Sequence, residues 1–332
     1  MGTENTNQVV VSIIMSVYNG EQFLREAIES VINQSFSKWE LIITDDNSSD
    51  NSAEIIREYL ARDKRIKLLV NEINDGLTVS LNRMLKYAKG KYVARLDSDD
   101  VCLPNRLEKE VKYLENNKKV FMVCSYAMAI GSKMGVIKTV KNSERLKASL
   151  LFANSIVHST IMFRNNYDYY YDESCKKAQD VELWDRFEAD GKRIHVIDKP
   201  LVMYRYHDKQ ISTTAEMEQS DVMNMVRKRA LSRIGIEISS DLTNSINKYL
   251  KGKVITAEEL GKLIELFDNI IKKNNHYSYY NKKALKKVIK GEYSQIYLLL
   301  KKNKKCLPLN IKLLIIRKAF GIRFVKRLLL KT

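Results

Sequence analysis

The feature that most constrains the fold of this chain is the alternation of short apolar runs with amphipathic helical runs over its first 130 residues. The run at 9–17 is apolar at almost every position, and apolar residues then recur at helical spacing from Phe23 to Ile32. Three more β-rich runs follow, with helical spacing between them, at 40–44, 66–70 and 91–96. Strands that are apolar on both faces are typical of a parallel sheet with helices on both sides. We therefore expect an α/β fold built on a doubly wound, mostly parallel sheet.

Five carboxylates directly follow two of these predicted strands. Asp45 and Asp46 come after the run at 40–44, and Asp97, Asp99 and Asp100 come after the run at 91–96. Because ligands of a doubly wound sheet bind beyond the carboxyl ends of its strands, we expect both groups to line one cleft. Carboxylates this close repel one another, and a divalent cation is a partner that relieves the repulsion. The alternative for the second group is an acidic turn, stabilised by the N-terminus of the next helix.

Two other positions at these strand ends have two interpretations each. Tyr18 leaves the first strand into a turn at Gly20, where its ring either stacks on a flat base or packs in the core. The carboxylates at 45 and 46 either accept hydrogen bonds from a base or ribose, or belong to the start of the next helix. Ser49 and Asp50 are the candidates for the capping residue of that helix.

The positive charge of this chain is concentrated at its C-terminal end. Residues 221–332 hold 26 of the 57 Lys and Arg residues but only 8 of the 40 Asp and Glu residues. Of the formal net charge of +17, that region therefore carries +18 and residues 1–220 carry −1. A basic region attached to a neutral domain suggests either an anionic membrane surface or nucleic acid as a partner. The segment 310–331 mixes basic and apolar residues, which predicts either an interfacial helix on anionic lipid or a docking helix with a solvated basic face.

Secretion and membrane insertion are not what this sequence predicts. It begins with a polar segment rather than a basic-then-apolar leader, and it has no uninterrupted run of about 18 apolar residues. The four cysteines are far apart and show no CxxC spacing, which is typical of reduced thiols. We expect a cytoplasmic protein whose contact with the inner face of the cell membrane, if it has one, is peripheral.

Four short motifs occur in order along the first 100 residues. They are Val11–Asn19, Asp45–Asp50, Asn74–Leu77 with Asn82, and Asp97–Asp100, and two more segments follow at Ala178–Trp184 and Tyr204–Asp208. Together they closely resemble the motifs of the family 2 nucleotide-sugar glycosyltransferases, over residues 9 to about 212. The resemblance implies a GT-A-type fold, with a catalytic domain at 1–219 and a basic, mainly helical region at 220–332.

The resemblance also implies roles for the residues at the strand ends. Tyr18 and Asp46 would hold the nucleotide base, with Asp45 supporting that loop. Asp97 would lie near the ribose or the metal, and Asp99 would coordinate a Mn²⁺ or Mg²⁺ ion that bridges the donor diphosphate.

Two later residues complete the implied site. His207 matches a histidine that reaches the metal or the diphosphate in related folds, so the implied metal ligands are Asp99, His207 and Asp97. Asp180 matches the aspartate that acts as general base on the acceptor hydroxyl. The family usually has Glu-Asp at this point, whereas this chain has Gln179 before Asp180. The base is retained, but a neighbour that helps to shape the acceptor site differs.

Several residues near Asp180 have competing interpretations. Glu182 and Asp185 are rival bases, although on a helix that starts near 180 they point to different faces. Trp184 is either an acceptor platform or, as we expect from its helical spacing, a core residue. His158 is either part of the acceptor region or structural, and the run 167–171 either borders the acceptor site or forms a surface loop.

The activity implied by the resemblance is that of a hexosyl- or N-acetylhexosaminyltransferase. It would be metal-dependent and inverting, moving a sugar from a UDP-sugar to a saccharide or lipid-linked saccharide in bacterial surface polysaccharide or glycolipid synthesis. One alternative, a sugar nucleotidyltransferase, needs a Gly-rich basic loop after the first strand, which residues 18–21 do not supply. The other, a nucleic-acid-binding protein, leaves the acidic cleft unexplained and lacks a basic stripe in residues 1–220. We therefore expect no nucleic-acid partner.

Overall fold

The apolar runs at the start of the chain form the strands that their pattern predicts. They are seen in a computed structural model that describes residues 9–208, 216–253, 255–302 and 309–321. The first four strands are β1 (Val11–Val17), β2 (Trp39–Asp45), β3 (Ile66–Val70) and β4 (Tyr92–Arg95). Nearly all side chains of β1 and β2 are buried, on both faces of the sheet. Each fully buried Val, Leu or Ile contributes about 1.5–3 kcal/mol to stability.

Five further strands extend this sheet in the described part of the chain. They are β5 (Val101–Cys102), β6 (Val120–Gly131), β7 (Gly135–Ile137), β8 (Met162–Arg164) and β9 (Arg193–Tyr206). The strand order is β3-β2-β1-β4-β8-β6-β9-β5, with β7 paired to β6. The first four strands pair in parallel, as do β6 and β9, whereas β8 runs antiparallel to β4 and β6. The predicted α/β fold is confirmed. The sheet is parallel at β3-β2-β1-β4 and mixed as a whole, because β5, β7 and β8 run antiparallel to their neighbours.

Helices connect the strands and cover the sheet. They are α1 (Glu21–Ile32), α2 (Ser52–Arg62), α3 (Leu77–Tyr87), α4 (Arg106–Asn116) and α6 (Gln179–Ala189), with a 3₁₀ turn at His158–Thr160. A further helix, α5 (Ser143–Ser149), lies almost entirely in the second compact unit of the chain. The apolar sides of α1, α2 and α4 belong to one buried core with β1, β2 and β4. This packing holds the carboxyl ends of β1, β2 and β4 at one edge of the sheet.

Gly90 allows two backbone segments to approach closely at the start of β4. Its position after α3 is typical of a capping glycine, but the C-cap of α3 is Ala88. A Cβ atom at position 90 would lie 2.5 Å from the backbone nitrogen of Ser12, which no side chain could tolerate. Gly90 N–H donates to Ser12 Oγ at 2.8 Å. The glycine is therefore required by packing against β1.

The chain divides into two compact units, Met1–Ser143 with Ser155–Met223, and Glu144–Asn154 with Asn224–Thr332. The second unit is mainly helical, as predicted. Its helices are the later part of α7 (Glu216–Ser232), α8 (Ser240–Leu250), α9 (Ala257–Tyr277), α10 (Lys282–Lys302) and α11 (Leu309–Phe320). Their apolar sides form a separate core around Phe267 and Ile289. At the start of α9, Thr256 and Glu259 form a capping box.

The predicted interfacial helix at 310–331 lies partly outside the described residues, since 322–332 are not described. In α11, Ile315, Ile316 and Ala319 are buried, and Ile315 and Ala319 belong to the helical core. The described part of the segment thus packs on the helical core, and the interfacial interpretation stays a prediction. Among the helices that the structure describes, none combines the length and the apolar character needed to cross a bilayer.

Candidate active site

N–H groups of the loop after β3 surround the carboxylate of Asp46, the residue that directly follows β2. Asp46 is almost fully buried. Its Oδ1 accepts hydrogen bonds from Asn71 Nδ2 at 2.7 Å and from the Asp75 N–H at 2.9 Å, and its Oδ2 accepts one from the Gly76 N–H at 2.9 Å. Gly76 has a left-handed φ of 87°, which residues with a side chain rarely adopt. Asp46 therefore fixes the loop that precedes α3 against the end of β2.

The loop after β1 is tied to the loop after β2 and leaves Tyr18 exposed. The Asn19 N–H donates to Ser48 Oγ at 3.0 Å, and Asn19 Oδ1 accepts the Ser49 N–H at 2.8 Å. Asp45, buried at the end of β2, accepts the Ser48 N–H at 3.2 Å. The exposed fraction of Tyr18 is 55%, so its ring does not pack in the core. The ring is therefore accessible to a planar ligand.

Neither of the two predicted capping residues is the N-cap of α2, which is Asn51. Asp50 instead joins the first turns of two helices. Its Oδ1 accepts the Ser52 N–H of α2 at 2.9 Å, and its Oδ2 accepts the Glu21 N–H of α1 at 3.0 Å. The negative charge of Asp50 thus stabilises the starts of both helices, where backbone N–H groups have no partner within the helix.

Asp97 is held by a buried arginine from the strand that precedes it. Both oxygens of Asp97 accept hydrogen bonds from the Arg95 guanidinium, and Oδ2 also accepts the Ser159 hydroxyl at 2.9 Å. Beneath this pair, Arg106 Nη2 donates to the carbonyl of Arg95 at 2.9 Å, and its Nε donates to Glu110. Neither arginine was among the predicted site residues. A basic residue at the end of an apolar strand, directly before three acids, is the signal that could have identified Arg95.

Asp99 and Asp100 have fewer partners than their charges require. Asp99 Oδ2 lies 2.8 Å from His207 Nε2. Asp100 Oδ1 accepts the Arg205 N–H at 2.9 Å, whereas its buried Oδ2 has no hydrogen-bond partner. Burial raises the pKa of Asp99 and, further still, that of Asp100, and the charge of Asp97 raises both.

These three carboxylates form a set that fits a hard divalent cation. Asp97, Asp99 and Asp100 each offer an oxygen, and these oxygens all lie within 4.8 Å of one another. The orphaned Oδ2 of Asp100 marks the negative charge that protein donors leave uncompensated, and carboxylate oxygens are the ligands that Mg²⁺ and Mn²⁺ prefer. Among the predicted ligands, Asp99 and His207 lie in contact, while both oxygens of Asp97 are already engaged by Arg95.

Asp180 lies in the first turn of α6 and is partly exposed. The helix is preceded by Ala178 in a left-handed conformation, with φ of 51°. The rival base Glu182 is buried in an ion pair with Arg186, with a shortest distance of 2.7 Å. Trp184 is fully buried, as its spacing predicts. The other rival base, Asp185, is also buried, so Asp180 is the most exposed of the three carboxylates.

Tyr171 is buried in the segment before α6 and contacts a histidine. Burial raises the pKa of its phenol, the charge of Arg95 opposes that rise, and the charges of Asp180 and Asp97 add to it. Its hydroxyl lies 2.8 Å from Nε2 of His158. Burial, together with the charge of Arg95, lowers the pKa of His158 well below its usual value, so the ring is neutral at pH 7.

Comparison with known proteins gives one family. Residues 12–147 match the sequence profile of glycosyl transferase family 2. The putative glycosyltransferase EpsE of Bacillus subtilis is 36% identical over 202 residues, which cover 59% of this chain and 72% of EpsE. WfgD of Escherichia coli, a UDP-Glc:alpha-D-GlcNAc-diphosphoundecaprenol beta-1,3-glucosyltransferase, is 43% identical over 117 residues, which cover 35% of this chain and 46% of WfgD.

A solved structure shares the fold. The crystal structure of S. aureus TarS 1–349 in complex with UDP-GlcNAc matches 96% of this chain and 91% of that chain, with a TM-score of 0.60 and 18% identity. This similarity confirms the predicted GT-A-type fold. Together with the identity to EpsE over most of the length of that protein, it leads to one conclusion: this chain belongs to glycosyltransferase family 2 and is a glycosyltransferase.

Proposed function

We propose that this enzyme transfers a hexosyl or N-acetylhexosaminyl group from a UDP-sugar to a lipid-linked saccharide, with inversion and with the help of Mn²⁺ or Mg²⁺. The donor and acceptor classes are supported by the name of WfgD and by the UDP-GlcNAc complex of TarS. The observation that carries the proposal is the cluster of Asp97, Asp99 and Asp100, whose oxygens lie within 4.8 Å of one another and include a buried oxygen of Asp100 without a hydrogen-bond partner. Such a cluster suits a cation that neutralises a leaving diphosphate.

On the donor side, the exposed ring of Tyr18 would stack on the base. Asp46 would bind the base through lone pairs that its N–H donors leave free, and Asp45 would keep the loop in place. Asp97, fixed by Arg95, would lie near the ribose. Asp99 and His207 would hold the cation, with Asp97 as a further ligand. When bound, such a cation stabilises the negative charge that develops on the leaving diphosphate.

On the acceptor side, Asp180 would act as the general base. Its carboxylate takes the proton of the acceptor hydroxyl while the hydroxyl oxygen forms a bond to the anomeric carbon. The bond between that carbon and the diphosphate oxygen breaks, and the nucleoside diphosphate leaves with the electron pair. A single displacement from the face opposite the leaving group inverts the anomeric configuration.

The substitution Asp180→Asn tests this mechanism. Without the base, we expect the rate of sugar transfer to fall by about 100- to 10,000-fold, while calorimetry shows unchanged binding of UDP in the presence of Mn²⁺. The matched control is Asp190→Asn, at the other end of α6, where the carboxylate only accepts a hydrogen bond from Tyr169 at 2.7 Å. A normal transfer rate in Asp180→Asn with intact UDP binding would overturn the assignment of the base. Retention of the anomeric configuration, seen by NMR of the product, would overturn the single displacement.

We also propose that residues 1–219 form the catalytic domain and that the basic region 220–332 binds an anionic membrane surface. Support comes from α10, whose first nine residues include five exposed lysines on one side of the helix: Lys282, Lys283, Lys286, Lys287 and Lys290. Several of them are spaced i, i+4 at the positive end of the helix dipole, an arrangement that costs stability. An anionic lipid surface attracts each lysine by about 1 kcal/mol.

Sedimentation with phosphatidylglycerol vesicles tests the membrane proposal. Replacing the five lysines of α10 by glutamine should lower binding at least about 100-fold, since each lysine contributes about 1 kcal/mol. A charge-matched control replaces five exposed lysines of the first unit: Lys38, Lys64, Lys86, Lys89 and Lys112. Equal binding by the two variants would show that this helix face is not the contact.

A further inference from the structure

Helix α3 contacts the donor side of the candidate site through its N-terminus. The N–H groups of Asp75 and Gly76, directly before α3, bind the carboxylate of Asp46. One turn later, Ser80 Oγ accepts a hydrogen bond of 3.0 Å from Asn71 Nδ2, the same amide that donates to Asp46. The first turn of α3 therefore has a fixed position relative to the carboxylate assigned to the base of the donor.

The other side of α3 holds the segment that leads into α6. Asn82 is almost fully buried. Its Oδ1 accepts the Tyr171 N–H at 2.8 Å, and its Nδ2 donates to the Tyr171 carbonyl and to Glu173 Oε1, both at 2.9 Å. Thr78 Oγ1 donates to the carbonyl of Cys175 at 2.9 Å. All of these bonds join residues that are about 90 or more positions apart in the chain.

The segment held by α3 is short and leads directly to Asp180. It spans 171–175, and the left-handed residue Ala178 then starts the helix that carries the carboxylate. The N–H groups directly before α3 donate to Asp46, whereas Thr78 and Asn82 hold this segment, so losing a bond to the segment leaves the bonds to Asp46 in place.

We propose that α3 sets the distance between the donor pocket and the general base, and that Asn82 is the positioning residue for Asp180. This inference rests on the proposed role of Asp180. It assigns a task to Asn82, which belongs to the sequence motif after β3 but has no part in the proposed chemistry. Because a displacement of about 1 Å in a reacting group can lower a rate about 100-fold, the three hydrogen bonds of Asn82 matter more for turnover than for donor binding.

The chain offers a closely matched control in its second unit. Asn274, near the end of α9, is also buried and also clamps the backbone of one tyrosine. Its Oδ1 accepts the Tyr280 N–H at 2.8 Å, and its Nδ2 donates to the Tyr280 carbonyl at 2.9 Å. These two bonds have the same lengths as the bonds between Asn82 and Tyr171. A loss of stability alone should therefore affect both asparagine variants in the same way.

The experiment compares Asn82→Ala with Asn274→Ala in the full-length enzyme. We expect both to lower the Tm, but only Asn82→Ala to lower the kcat of Mn²⁺-dependent UDP-sugar hydrolysis, by about 10- to 100-fold. The Kd of UDP with Mn²⁺ should change less than about twofold, because Asp46 keeps its donors. Thr78→Val keeps the side-chain volume and removes one hydrogen bond, so it should lower kcat by a smaller factor. This milder variant tests the same contact if Asn82→Ala does not fold.

Asp180→Asn and the double variant distinguish this inference from the assignment of the base. If Asn82 acts through Asp180, adding Asn82→Ala to Asp180→Asn should lower kcat no further. An unchanged kcat in Asn82→Ala and Thr78→Val, with Asp180→Asn inactive, would refute only the positioning role. Equal losses of kcat in Asn82→Ala and Asn274→Ala would also refute it, and so would a loss of UDP affinity that accounts for the change. A fully active Asp180→Asn would refute the base and the positioning role together.

Discussion

The carboxylates after β2 and those after β4 lie at the same edge of one sheet, yet the protein compensates their charges in different ways. Asp46 is surrounded by three N–H donors from the segment that precedes α3. The group after β4 has an arginine on Asp97 and a histidine on Asp99, while one buried oxygen of Asp100 has no partner.

This difference separates a carboxylate that the protein itself compensates from carboxylates that it leaves uncompensated. Fixed N–H dipoles balance the charge of Asp46 and hold its loop, in addition to its proposed role in binding the base. After β4, burial and mutual repulsion raise the pKa values of Asp99 and Asp100, so the folded chain carries an unfavourable charge that a cation would relieve. The two groups should therefore respond in opposite ways to loss of a carboxylate.

The largest effect is expected from Asp99→Asn. If Asp99 holds the metal, the substitution should lower Mn²⁺-dependent sugar transfer by about 1,000-fold, which corresponds to about 4 kcal/mol of lost transition-state stabilisation. In metal-free buffer its Tm should equal or exceed that of the wild type, because one of three repelling charges is removed. The control is Asp198→Asn, an exposed residue of β9 that pairs with Lys141. Transfer that survives in Asp99→Asn, or that needs no divalent ion in the wild type, would contradict the metal assignment.

The next effect is expected from Asp46→Ala, measured as the free energy of unfolding in urea. The substitution removes the acceptor of three N–H groups, and the loss should be about 3 kcal/mol because buried donors left unpaired cost about 1–3 kcal/mol each. The paired variant is Asp99→Ala in metal-free buffer, for which we expect no comparable loss. Equal destabilisation by the two variants would mean that the acid groups after β2 and β4 do not differ as described.

The strands, the helices and the acidic strand ends could be predicted from the sequence, because the spacing of apolar residues along the chain indicates them. The apolar period of β1 and β2 reflects burial on both faces, and carboxylates that follow parallel strands must meet at one edge. The roles predicted for Tyr18, Asp46, Asp97, Asp99, His207 and Asp180 remain predictions. The structure adds that Tyr18 is exposed and that His207 contacts Asp99.

What the sequence could not predict depends on contacts between distant residues. Nothing near Asn82 indicates that it binds Tyr171, 89 positions away. The closest local signals were also misleading at two points. Gly90 follows a helix, yet its small size serves the approach to Ser12, and Asp50 precedes a helix, yet Asn51 is the N-cap. In both cases a tertiary contact, rather than the local motif, determines the role of the residue.

The smallest effect concerns the buried ion pair beneath the acidic strand end. Burial raises the pKa of Glu110 to about 7, although Arg106 opposes the rise. The folded state then holds a proton that the unfolded state releases near pH 4.5. Stability from this group is therefore present at low pH and is lost as the pH rises through about 7. Between pH 5 and 7 the free energy of unfolding should fall by about 2 kcal/mol on this account.

Urea denaturation of Glu110→Gln over the same pH range measures that contribution. Glutamine cannot titrate, so the fall in the free energy of unfolding between pH 5 and 7 that comes from Glu110 should disappear. This holds even if the substitution lowers the free energy of unfolding equally at every pH. The control on the same helix is Glu115→Gln, because hydrogen bonds from Lys118 and Lys91 lower the pKa of Glu115 to about 2 and it does not titrate between pH 5 and 7. If Glu110→Gln and Glu115→Gln keep the same slope as the wild type, Glu110 is ionised throughout. The Arg106–Glu110 pair would then carry no net charge, and Arg106 would add no net positive charge beneath the acidic end of β4.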